Sequence, residues 1–216
     1  MTISPVDYAS LLCSRLCHDL LSPVGALNNG LELLADEQDP AMRARCMELL
    51  AESARVSANK LKFFRLAFGA AGGFGGAIDA REARAAIEGL VADKRTVVGW
   101  YVEAATLPKP AAKVLLNLAL IAIEALVLGG TLDIGAEETG SQVEIVVKIE
   151  GPRIILDPDL RQMLIDGTGA EGVTARNAGA YIVHTLAGEH GGGIQVSEPA
   201  SGVMILGAAM NTGAAE

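Results

Sequence analysis

Three scarcities set the first limits on this chain. Aromatic residues are few, at 4% of 216 positions, and no apolar run reaches the roughly 20 residues that a membrane-spanning helix needs. Membrane insertion is therefore not expected. Basic residues are also outnumbered: 17 Lys and Arg face 26 Asp and Glu, for a formal charge of −9. Such a surface lacks the clustered cations that grip nucleic acid or anionic lipid, which leaves proteins and small molecules as partners. The opening MTISPVDY has no basic stretch leading into an apolar core, so the expected location is cytoplasmic. Cysteines number three, an odd count that fits reduced thiols better than a disulfide framework. Cys13, Cys17 and His18 form the one grouping with metal-ligating character there, but no fourth ligand stands nearby. The two cysteines read as packing thiols, and no metal is expected.

What is present falls into two unlike parts. The stretch FGAAGGFGGA, from Phe68 to Ala77, holds five glycines and reads as a joint, with a linker expected over 70–78. Before it, over 1–69, lie two helical segments. Ser4 is placed to cap the first, with Pro5 at its first position and Asp7 in its first turn. Asp39 and Pro40 repeat that start for the second, which runs to Phe68 with Gly69 as its stop. A turn as short as DEQDP makes the two antiparallel. Their apolar stripes exceed what one hairpin buries, so pairing of two chains into a four-helix bundle is expected. Over 79–216 helical and strand patterns alternate. A helix from Asp79 and the strand TVVGWYVE lead to the helix KPAAKVLLNLALIAIEALVL, apolar on nearly every side. Strands TLDIGAEE and QVEIVVKIE, two further helices, and strands GIQVSE and GVMILGAA complete the chain. Helices gathered against a mostly antiparallel sheet define an α+β sandwich.

The first helix carries the unusual residues. At about 100° per residue, Leu12, Leu16, Leu20, Leu27, Leu31 and Leu34 share one face, and His18 lies opposite with Ser14, Ser22, Gly25 and Asn29. An unperturbed imidazole, with pKa about 6.5, is largely neutral near pH 7, so one ring nitrogen is nucleophilic while a carboxylate holds the other. Small neighbours leave room for another protein. Pro23 removes a backbone hydrogen bond one turn later and is expected to bend or loosen the helix.

On these residues the chain resembles a known family. HDLLSP resembles the H-box of two-component histidine kinases, and the longer LCHDLLSPVGALNNGLELL is similar to the ChpT family of alphaproteobacterial histidine phosphotransferases. The resemblance implies that His18 accepts the phosphoryl group and Asp19 assists it, although neighbours on a helix do not face each other and Asp19 needs a suitable rotamer. Arg15 and Ser22, each about one turn from His18, are supporting candidates for offsetting charge and positioning water. Leu21, Val24 and Asn28 flank the histidine as candidate docking residues.

The second part resembles the kinase-type ATPase domain, with departures. VLLNLALIAIEAL is similar to the N-box helix, but Ile121 stands where a kinase has its magnesium-holding asparagine, four residues after Asn117. The Asp-x-Gly-x-Gly motif is represented by IEGPR, with Ile149 for the acid and Arg153 for the second glycine. An aliphatic side chain neither binds adenine by hydrogen bonds nor coordinates a metal, and a β-carbon obstructs approach to phosphate. The following glycine-rich turn keeps only Asn177 and Gly179. No bound ATP and no cofactor are expected, with Mg²⁺ supplied by the partner. His184 and His190 read as structural. The resemblance implies a homodimeric carrier between receiver domains, a hybrid-kinase receiver as donor and response regulators as acceptors. The alternatives are an ATP-dependent histidine kinase with an atypical site and a non-catalytic scaffold that binds receivers.

Overall fold

The computed structural model describes residues 3–69, 76–92, 95–169 and 171–212. Two long helices open it, α1 (Pro5–Asp36) and α2 (Pro40–Ala67). Ser4 accepts a hydrogen bond from the Asp7 amide, and Asp39 accepts from those of Ala41 and Met42, so both predicted caps are in place. The helices pack as an antiparallel pair. Gly30 of α1 lies against Leu50 of α2, so close that a β-carbon there would stand 2.9 Å from a Leu50 methyl.

The rest of the chain comprises β1 (Ala77–Asp79), α3 (Ala80–Val91), β2 (Thr96–Val102), β3 (Thr106–Pro108), α4 (Lys109–Ala125), β4 (Gly130–Thr139), β5 (Gln142–Glu150), α5 (Pro158–Asp166), α6 (Ala178–Glu189), β6 (Gly193–Val196) and β7 (Val203–Asn211). Five strands form a sheet in the order β2-β4-β5-β7-β6, parallel between β2 and β4 and antiparallel elsewhere. This is the expected α+β architecture. Strand alternation aims Leu132, Ile134, Val143, Ile145, Val147, Ile149, Met204 and Leu206 at the helices, while Glu144, Val146 and Ile205 face outward. The helix α4 is buried on almost all sides, as its largely apolar sequence requires.

Two details differ from the sequence reading. Of the expected linker, residues 70–75 lie outside the described residues, while Ala77 and Ile78 pair with Pro108 and Leu107 as the antiparallel β1–β3 ribbon. The helical pair is also no separate body. Phe63, Phe64, Leu66 and Ala67 at the end of α2 belong to the same buried cluster as the sheet and α4. The Asn117 amide, buried on α4, donates to the Ala67 carbonyl at 3.3 Å and to that of Lys113 at 2.9 Å, tying the C-terminal end of α2 to the sandwich.

Candidate phosphotransfer site

Helix α1 continues through Pro23 without ending. A proline has no amide hydrogen, so Asp19, four residues earlier, is left with a carbonyl that the helix itself does not satisfy. Lys60 of α2 supplies the donor: its Nζ lies 2.7 Å from that carbonyl oxygen. Pro23 is buried facing α2, and the expected loosening is replaced by a cross-helix hydrogen bond.

His18 projects away from this contact, with its side chain 84% exposed. Its Nδ1 lies 3.3 Å from Asp19 Oδ1. The adjacent acid thus reaches the ring through its rotamer, as the sequence required. The other oxygen, Oδ2, accepts from Arg15 Nε at 2.9 Å. Arg15 also donates to the Arg176 carbonyl at 3.1 Å and pairs with Glu124 on α4. Burial disfavours its charge, but Glu124 and Asp19 together hold the guanidinium above the usual arginine range. The side chains of Arg15 and Asp19 are only 15% and 18% exposed. Arg15 is therefore engaged by two carboxylates and a carbonyl, in place of the open cation the sequence suggests.

The remaining candidates lie on the same exposed helix. Ser22 and Asn28 are exposed, Leu21 is 70% exposed, and Val24 is also exposed. Cys13 and Cys17 correct the expectation of packing thiols: both are exposed on α1 and only Cys46 is buried. Among the described residues no group of three His, Cys, Asp or Glu is arranged to hold a metal ion.

In the part of the sandwich whose sequence resembles the kinase nucleotide region, the side chains are engaged in structure. Ile121 and Ile149 are in the core. Asn177 is fully buried; its side chain donates to Asp159 at 2.7 Å and to the Gly172 carbonyl at 3.1 Å, and accepts from the Thr174 amide at 2.8 Å. The Arg153 carbonyl accepts from the Val127 amide. His184 Nδ1 lies 3.2 Å from the Leu164 carbonyl, and its ring packs where a β-carbon of Gly167 would stand 2.5 Å away. His190 caps the C-terminal end of α6. Near the start of α1, the Tyr8 hydroxyl donates to the Ala178 carbonyl at 2.9 Å and its ring meets Tyr181 edge-on.

Comparison with known proteins places this chain in a family. The histidine phosphotransferase C-terminal domain matches residues 80–202. The chain is 34% identical over 208 residues to the protein phosphotransferase ChpT of Brucella abortus (strain 2308), covering 94% of this chain and 96% of that one. The chain belongs to the ChpT family of histidine phosphotransferases. A 1.7 Å structure of a bacterial phosphotransferase superposes with a TM-score of 0.86 at 32% identity, covering 96% of this chain and 98% of that one. Membership in the ChpT family supports a phosphotransferase of a two-component phosphorelay. Among the described residues no helix is long and apolar enough to cross a membrane.

Sequence reasoning missed Lys60, Glu124 and Tyr8. For Lys60 a signal existed: a proline inside a helix announces an orphan carbonyl four residues before it, which calls for a donor from a neighbour. Glu124 and Tyr8 act across more than a hundred positions, and nothing local names their partners.

Proposed function

We propose that this chain carries a phosphoryl group on His18 between the aspartates of two receiver domains, one from a hybrid kinase and one from a response regulator. The observation that carries the reading is an imidazole exposed on α1 with Nδ1 held by Asp19. With the proton kept on Nδ1, the Nε2 lone pair is the nucleophile. It forms the N–P bond as the P–O bond to the receiver's aspartate breaks, and that electron pair leaves on the carboxylate oxygen. The ring becomes positively charged, and Asp19 stabilises it through Nδ1–H. Transfer onward reverses these steps. Magnesium held by the receiver would offset the charge of the equatorial oxygens, and this chain's part in the reading is confined to His18 and the residues that orient it. Leu21, Val24 and Asn28 offer an exposed surface beside the histidine for docking.

The reading includes a cytoplasmic homodimer without ATP. Exposed Leu31, on the leucine face of α1, and Met47 and Leu61, which share one face of α2, leave apolar surface that a second hairpin would cover in a four-helix bundle. The residues of the former nucleotide site do not fit ATP: Ile121 and Ile149 offer no polar group, and Asn117 and Asn177 are tied to backbone and to Asp159. No step therefore passes through a nucleotide.

Labelling with radioactive ATP alone, beside labelling from a receiver charged with radioactive acetyl phosphate, tests the proposal. Label taken from the receiver only is the expected result. Label from ATP alone would make the chain a kinase, and receiver binding without label would make it a scaffold.

A further inference from the structure

The contacts that hold Asp19 do not end on its own helix. Glu124 sits in the last turn of α4, a place where the helix dipole disfavours an acid and where local electrostatics gives no reason for one. Its partner is Arg15, across the boundary between the sandwich and the helical pair. The Arg15 fork then reaches Asp19 Oδ2, and Asp19 Oδ1 reaches His18 Nδ1, so three side chains connect α4 to the imidazole. A planar guanidinium bridging two carboxylates fixes the orientation of both, which an exposed pair on one helix would not do. The Arg176 carbonyl, accepting at 3.1 Å, holds the fork from a third side.

We propose that Glu124 is a positioning residue for transfer at His18, acting through Arg15 to keep the Asp19 carboxylate on Nδ1. The sandwich then has a part in the chemistry without binding a nucleotide: it sets the tautomer of a histidine that lies outside it. With Asp19 held, the proton stays on Nδ1 while Nε2 bonds to phosphorus and the receiver's P–O bond breaks. With Glu124 removed, Arg15 loses one of its two anionic partners and Asp19 turns among rotamers that do not face the ring. The inference rests on the reading of His18 as carrier, but its spectroscopic consequence does not.

The test uses the full chain labelled with ¹⁵N at histidine, as wild type and as Glu124→Ala, Glu124→Gln, Glu124→Asp and Arg15→Lys, with His18→Gln to assign the His18 signals. Long-range proton–nitrogen correlation spectra report the His18 tautomer, and label transfer from a receiver charged with acetyl phosphate reports the rate. Wild type should show a predominant Nδ1–H form. Glu124→Ala and Arg15→Lys should show mixed tautomers and transfer slowed by about tenfold, the size of effect expected when contacting residues act as one unit. Glu124→Asp should recover part of both. Should Glu124→Ala fail to fold, Glu124→Gln keeps the shape without the charge and is expected to show the same mixture. An unchanged His18 tautomer in Glu124→Gln and Arg15→Lys would overturn the inference. Transfer that persists in His18→Gln would overturn the carrier reading instead, and leaves the tautomer result to decide the role of Glu124 by itself.

Discussion

Pro23, Lys60 and Asp19 show how a residue that weakens a helix is accommodated by one from its neighbour. The Asp19 carbonyl accepts from Lys60 because Pro23 offers no amide. Replacing Lys60 by Met leaves that carbonyl without a donor and should cost about 1–3 kcal/mol in urea unfolding. In a Pro23→Ala background the restored amide takes the bond, and the same replacement should cost close to nothing. Equal costs in the two backgrounds would refute the assignment. Tyr8 gives a prediction in pH. Burial, with a smaller contribution from Tyr181, pushes its hydroxyl well above the usual phenol range in the folded chain. The unfolded chain releases this proton near pH 10 and the folded chain only at higher pH, so the unfolded state binds fewer protons in that interval and stability falls as pH rises through it. The contribution is complete below pH 10. Tyr8→Phe should remove this part of the alkaline slope, measured by thermal unfolding at pH 8 to 11.

At the scale of elements, Asn117 joins α4 to the end of α2. It occupies the position at which the sequence resembles a kinase N-box, yet its amide hydrogen-bonds to the Ala67 and Lys113 carbonyls. Asn117→Ala should destabilise the chain by about 2 kcal/mol, chiefly by leaving the Ala67 carbonyl unpaired; added ATP and magnesium should restore none of it. The long helices were legible in the sequence because their ends carry local chemistry, Ser4 with Pro5 and Asp39 with Pro40, and their periodicity extends over many turns. The strands β5 and β7 were legible because inward and outward residues alternate over nine positions, and β4 because its first half does the same around Leu132 and Ile134. The strands β1 and β3 were not. Each has three residues, β1 begins within the glycine-rich joint, and β3 ends in Pro108, which reads locally as a helix entry. The site divides in the same way. His18 and Asp19 stand out because a polar pair on a leucine-rich helix is a local anomaly, whereas Lys60, Glu124 and Tyr8 take their positions from tertiary packing.

For the whole molecule, one buried cluster runs from the end of α2 through α4 to the sheet, and the histidine stands outside it. That separation is what allows chemistry and folding to be tested apart. The hairpin's uncovered leucines predict a dimer at low micromolar concentration, and Leu27→Glu with Leu31→Glu should halve the mass seen in sedimentation, because each would bury an unpaired carboxylate at the seam. A wild-type monomer at that concentration would contradict the bundle. The most direct measurement of the account's central claim is label transfer from a charged receiver to His18→Gln, run beside its unfolding curve. The substitution should change stability by less than about 0.5 kcal/mol, since the side chain lies on the surface, and should abolish transfer, while His184→Gln and His190→Gln remain able to carry label. Label on wild type should be lost in mild acid and kept in base, as a phosphoramidate requires. A folded His18→Gln chain that still takes label from the receiver would contradict the account.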